Sequence, residues 1–136
     1  MNVLAENERD HAVAVLVVSS DGIPLVRDHQ KRGTVYWKVP GGRNKAGESA
    51  IDTAIREVKE EIGVSLTEED LVLIGKRDLG SHILSFYVST VDSLTGIKAR
   101  GEKGEEVKVF LPRDVLALQD FFRNHRNVFS RYLLVK

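Results

Sequence analysis

The sequence predicts an α/β protein, a mixed β-sheet with helices on its two faces. Three observations carry that expectation. Residues 12–18 are a near-continuous aliphatic run, the pattern of a strand buried on both faces. Further short segments rich in β-branched and aromatic residues follow, separated by glycine, proline and polar turns. Between and after them, stretches beginning at Ser49 and Asp120 repeat apolar residues at helical spacing instead. The chain has 136 residues, 42% of them apolar and 29% charged, which suits one soluble domain with a real core.

Taken in order, Asp21-Gly22 marks a tight turn after the first strand, and residues 23–27 form the returning strand. Residues 29–34 read as a polar, basic loop, and 35–39 as a short strand leading into the turn Pro40-Gly41-Gly42. A long helix follows. Ser49 is its N-cap, with Asp52 three residues on in a capping-box arrangement, and Gly63 is its C-terminal stop. A short turn falls at 67–70, then strands at 71–76 and 83–91, the second carrying Phe86 and Tyr87. Residues 93–104, rich in glycine and lysine, are expected to form a mobile loop. Residues 107–111 form a strand ended by Pro112. From Asp120 a final helix aligns Phe121, His125, Val128, Phe129, Tyr132 and Leu133 on one stripe.

The long helix holds the chemistry. Glu57, Glu60 and Glu61 stand at i, i+3 and i+4, which places all three carboxylates on one helical face. With Glu57 at zero, Glu61 lies at about 40° and Glu60 at about 300°, while Val58, Ile51, Ile62 and Ile55 fall at roughly 100–160°. The apolar stripe therefore packs on a sheet while the adjacent acidic face lines a cleft, exposed. Like charges this close repel, and the simplest neutraliser is a hard divalent cation with oxygen ligands, Mg2+ or Mn2+. Arg56 flanks Glu60 and can hold a carboxylate in place. The competing reading is an ordinary solvated face with Arg56 and Lys59 as counterions. A glycine turn at fixed distance and an arginine directly before the acidic run favour the metal.

Composition excludes several other classes. Formal net charge is zero, so no global field draws the chain to nucleic acid or a membrane. It has no cysteine, hence no disulfide-linked partner and no thiolate metal site. His11, His29, His82 and His125 show no zinc-like spacing. The polar, acidic first ten residues are unlike a signal peptide, and no apolar run approaches the roughly 20 residues that span a bilayer. A cytoplasmic protein is the expectation, with a homodimer left open.

Residues 42–64 resemble the signature of the Nudix hydrolases, G-x5-E-x7-R-E-U-x-E-E-x-G-U, with U a bulky aliphatic residue. Gly42, Glu48, Arg56, Glu57, Val58, Glu60, Glu61, Gly63 and Val64 match every specified position. The resemblance implies an α/β/α sandwich in which this segment forms a loop-helix-loop. It also implies metal-dependent hydrolysis of a pyrophosphate bond in a nucleoside diphosphate derivative, with Mg2+ or Mn2+ as cofactor. By that likeness Glu57, Glu60 and Glu61 are metal-ligating carboxylates, Glu48 an additional ligand, Gly42 part of the metal-site turn, and Arg56 the residue that orients a glutamate. Several divalent ions need more negative ligands than one helix face offers. Family members often place a further carboxylate before the last strand, where Glu102, Glu105 and Glu106 stand; Glu105 and Glu106 are favoured equally.

Candidate substrate contacts are Arg27, Lys31, Arg32, Arg43 and Lys45 for phosphates, and Trp37, Tyr36 and Tyr87 for a base; core packing or solvated surface is the commoner role for each. The markers of the family's ADP-ribose, coenzyme A and RNA 5′-end hydrolases are absent. A small nucleotide-type substrate is thus expected, a nucleoside triphosphate cleaved to monophosphate and pyrophosphate. Hydrolysis of ADP-ribose, a nucleotide sugar or a dinucleoside polyphosphate is the alternative, and so is a non-catalytic nucleotide-binding regulatory domain.

Overall fold

The aliphatic run becomes β1 (His11–Val18), in which every residue from Ala12 to Val17 is buried. The computed structural model describes residues 10–28, 35–121 and 123–133. His29, Lys31 and Arg32 therefore lie outside the described residues, with the rest of the 29–34 loop. The remaining elements are β2 (Ile23–Arg27), β3 (Gly41–Arg43), α1 (Ala50–Ile62), a 3-10 turn (Glu68–Asp70), β4 (Leu71–Asp78), β5 (Ile83–Thr90), β6 (Glu106–Phe110), α2 (Pro112–Ala117) and α3 (Arg123–Leu133).

A four-stranded sheet runs in the order β3-β1-β5-β4, and β2 pairs with β6 in a second, two-stranded sheet. The larger sheet is mixed, because β1 is parallel to β5 while β1–β3 and β4–β5 are antiparallel. Its two faces follow the two-residue period of β1. Val13, Val15 and Val17 pack with Ala54, Val58 and Ile62 of α1, whereas Ala14 and Leu16 join Phe86, Phe129 and Leu133 on the α3 side. That is the expected arrangement of helices on both faces of a mixed sheet. No helix among the described residues is long and apolar enough to cross a membrane.

Three local expectations change. Residues 35–39 form no ladder strand, because their backbone groups go to separate partners: Lys38 exchanges bonds with Val26, Trp37 N–H donates to Asp120 O, and Val39 N–H donates to His125 Nδ1. The glycines after Pro40 form a strand instead of a turn, with Gly41 opposite Ala14 and Gly42 opposite Val13. A Cβ on Gly41 would fall 2.0 Å from Val13 O, so only glycine lets this edge approach β1. The 93–104 loop is not loose. Its backbone is stitched to the end of α1 by Lys98 N–H to Ile62 O (2.9 Å) and Glu102 N–H to Glu60 O (3.0 Å). Pro112 does end β6, and by its fixed φ it also starts α2.

Candidate active site

Ser49 and Asp52 cap α1 reciprocally, which fixes the register of every functional side chain that follows. Just before the cap, Lys45 N–H donates to Glu48 Oε1 (2.7 Å) and turns that carboxylate toward the helix. Arg56, two turns along α1, takes it in a fork: Nε donates to Oε2 (2.6 Å) and Nη2 to Oε1 (2.9 Å). The same guanidinium donates from Nη1 to Glu57 Oε1 (2.8 Å) and Glu60 Oε2 (3.0 Å), and from Nη2 to the Arg43 carbonyl (3.0 Å). One arginine thus joins three carboxylates and the end of β3. Its hydrogen bonds hold Glu48 far below the usual carboxyl range, at about 2, and the paired carboxylates push Arg56 itself up.

Glu57 and Glu61 depart from the exposed cleft face expected of them. They are 8% and 5% exposed, covered by β3. The cause lies in the glycines: a Cβ on Gly42 would fall 2.7 Å from Glu57 Cδ, and Gly41 N–H donates to Glu61 Oε2 (2.8 Å). With no side chains on that edge, the strand lies directly on the carboxylates. Burial, then the charge of Glu57, pushes the Glu61 carboxyl well up, with the Gly41 N–H working against both. Glu60 stays on the outer side, 3.9 Å from the Lys45 ammonium.

Beside β3 opens a cleft of about 420 Å³, lined by Val13, Ala14, Val39, Gly41, Gly42 and Leu84 together with Asp28, Tyr36, Lys38 and His125. The positive charge of Lys38 acts on both Glu61 and His125. Burial and then that charge hold His125 down at about 4, so it is neutral near pH 7, and its Nδ1 accepts from Val39 N–H (3.2 Å). Lys38 and His125 were not among the expected substrate contacts. Extended backbone would have put Tyr36 and Lys38 on one side, the signal that alternation carries.

The other expected residues are dispersed. Arg27 pairs with Glu106 across the β2–β6 register (2.9 Å) and stacks over Trp37 at 4.3 Å, and Trp37 meets Phe110 edge-on in the core. Tyr87 is buried with Val58 and Ile62 against α1, away from the cleft lining. Arg43 is exposed, 3.8 Å from Asp10. Glu105 is buried and accepts from Lys103 N–H (2.9 Å). Gly101 separates it from the last turn of α1, since a Cβ there would stand 2.7 Å from Glu105 Oε1 and 2.9 Å from the Glu61 carbonyl.

Among the described residues, no three carboxylate or imidazole groups already converge as a metal cage. The donor chemistry nonetheless fits a hard divalent cation. Glu57 and Glu61 lie buried together, and burial first, then the charge of Glu57, raises the proton affinity of Glu61, a penalty that a bound cation would relieve.

Residues 8–132 match the family model described as NUDIX domain. A mouse protein named nucleoside diphosphate-linked moiety X motif 6 is 43% identical over 63 residues, which cover 46% of this chain and 20% of that protein. The uncharacterized Nudix hydrolase YvcI of Bacillus subtilis is 33% identical over 85 residues, 59% of this chain and 52% of its own. The chain thus spans about half or less of the length of these curated relatives. A structure from an analysis of MutT from Aliivibrio salmonicida and Vibrio cholerae superposes with a TM-score of 0.71 at 26% identity, covering 92% of this chain and 97% of that one. The fold, the spacing of the acidic helix and a family match over nearly the whole chain agree, and the protein belongs to the Nudix family.

Proposed function

We propose that the domain hydrolyses a pyrophosphate bond in a nucleoside diphosphate derivative, converting a nucleoside triphosphate to monophosphate and pyrophosphate. The observation that carries this reading is the buried Glu57–Glu61 pair beneath Gly41 and Gly42, at the edge of a cleft large enough for a nucleoside. Glu57 and Glu61, with Glu60 and Glu48 beside them, would hold Mg2+ or Mn2+. Such a cation neutralises the polyanionic substrate and acidifies an attacking water.

The chain's own groups do the rest. Arg56 keeps Glu48, Glu57 and Glu60 from turning away from one another. The Gly41 N–H fixes Oε2 of Glu61 beside Glu57. The apolar walls of the cleft, Val39 and Leu84 among them, receive the flat part of the substrate while Lys38 offers its charge to the phosphate end. Of the two loop carboxylates, Glu105 is better placed to assist, lying against the last turn of α1, whereas Glu106 is engaged by Arg27.

Product identity tests the proposal. Nucleoside triphosphates, ADP-ribose, nucleotide sugars and dinucleoside polyphosphates are incubated with the protein and Mg2+, and products are resolved by chromatography. Monophosphate with pyrophosphate from a triphosphate, abolished by chelator, is the expected result. Release of orthophosphate from the γ position would overturn the bond choice. Tight binding with no product across the panel would make the domain a nucleotide sensor.

A further inference from the structure

We propose that His11 and Thr53 form a buried relay that positions the Glu48 carboxylate on Arg56. Thr53 is then a positioning residue for the reaction proposed above, on which this inference rests. Both side chains are polar yet almost sealed from water, with Thr53 fully buried and His11 3% exposed. Thr53 Oγ1 lies 3.1 Å from Glu48 Oε1, 2.9 Å from the Ser49 carbonyl and 3.3 Å from His11 Nε2.

A threonine in the first turn of a helix can satisfy its hydroxyl on the carbonyl four residues back, which would leave nothing for Glu48. Two observations argue for more than that. A hydroxyl has one proton and two acceptors here, and the ionised Glu48 competes for it with a charge-assisted bond. His11 also stands where a donor into the Thr53 oxygen would be, and with Nε2 protonated it polarises the hydroxyl toward the carboxylate.

His11 is tied to the same loop by its backbone. Its N–H donates to Asn44 Oδ1 (3.1 Å), and its carbonyl accepts from Asn44 N–H (2.9 Å). The start of β1 is thus anchored to the segment that carries Glu48. In the His11 tautomer that carries its proton on Nε2, the relay runs from Nε2–H to Thr53 Oγ1. It continues from the Thr53 hydroxyl, shared with the Ser49 carbonyl, to Glu48 Oε1, leaving Glu48 Oε2 to Arg56 Nε. Without it, Glu48 keeps the Lys45 N–H and its two bonds to Arg56 but loses the donor that fixes the rotation of its carboxylate, and the Arg56 fork loosens.

Thr53→Val keeps the shape and removes only the hydroxyl, and Thr53→Ser restores the hydroxyl. Two quantities are read: exchange of the Arg56 Nε proton with water, by nuclear magnetic resonance on metal-free protein, and the steady-state kinetics with Mg2+. Thr53→Val is expected to speed that exchange about tenfold and to lower kcat about tenfold with KM within about twofold. Thr53→Ser should return both toward wild type, and His11→Phe should move both in the direction of Thr53→Val by a smaller factor. Unchanged Arg56 exchange in Thr53→Val, whatever its melting temperature, overturns the relay, and so does failure of serine to restore it. If Thr53→Val does not fold, Thr53→Ala is read instead, alanine being favourable inside a helix. A wild-type protein that turns over no nucleotide defeats the proposed function alone, because the exchange measurement still decides the relay.

Discussion

Glu48 and Glu61 are the same side chain at opposite ends of one acidic cluster, and their surroundings drive them in opposite directions. Glu48, still 18% exposed at its side chain, is gripped by Arg56 and held ionised down to about 2. Glu61, buried under β3 beside Glu57, is pushed well above the ordinary 4.5. One end of the cluster is electrostatically complete, and the other holds a buried carboxylate crowded by its neighbour. The difference separates structure from chemistry. Glu48, gripped by Arg56 at both oxygens, offers a cation less than the crowded buried Glu57–Glu61 pair, which gains most from one.

The harshest way to break the comparison is to remove the charge at the crowded end. Glu57→Gln and Glu61→Gln should each lower turnover at least about a hundredfold while preserving volume and fold. In metal-free protein Glu61→Gln should melt no lower than wild type, since it removes a buried carboxylate crowded by Glu57. Near wild-type turnover in Glu57→Gln would end its assignment as a metal ligand. At the complete end the stability effect should be the larger one. Arg56→Gln leaves Glu48, Glu57 and Glu60 without their shared partner and should cost about 3 kcal/mol in denaturant unfolding.

Much of this was legible along the chain, for physical reasons. The buried strand β1, the capped helix α1 and the stripe of α3 are local patterns, set by periodicity and caps, and the structure has them, except that α3 begins at Arg123 and leaves Phe121 outside it, bridged to Trp37. The pairing of Arg56 with Glu60 was legible too, because i and i+4 neighbours meet on any helix. The burial of Glu57 and Glu61 was not. A helical wheel gives the angle of a side chain, not what lies over it, and what lies over these is β3, placed by its long-range pairing with β1. Residues 35–39 and the 93–104 loop escaped for the same reason, since their backbone partners lie far away in sequence. The His11–Thr53 contact spans 42 positions and leaves no local mark.

Acidity sharpens the comparison, because the two carboxylates should give stability slopes of opposite sign. Glu61 binds its proton more tightly folded than unfolded. Its contribution is therefore fully present below about pH 4.5 and is lost as pH rises from there through its raised folded value. Metal-free wild type should lose stability over that rise, and Glu61→Gln should flatten the loss. An unchanged slope in the variant would mean that Glu61 is not the crowded group.

Glu48 gives the smallest and most specific effect. Its folded value of about 2 lies below the ordinary 4.5, so between those limits the unfolded chain binds a proton that the folded chain refuses. Stability from this residue is thus complete above about pH 4.5 and drains away as pH falls toward 2. A shift of that size corresponds to about 3 kcal/mol at most, and solvent reaching the half-buried pair reduces it to about 2. Glu48→Gln should remove this acid limb while leaving the limb above pH 4.5 to Glu61, which unfolding free energies measured from pH 2.5 to 8 will separate. If Glu48→Gln instead alters the upper limb, the two ends of the cluster are one coupled system, and Arg56 transmits charge between them more than it divides them.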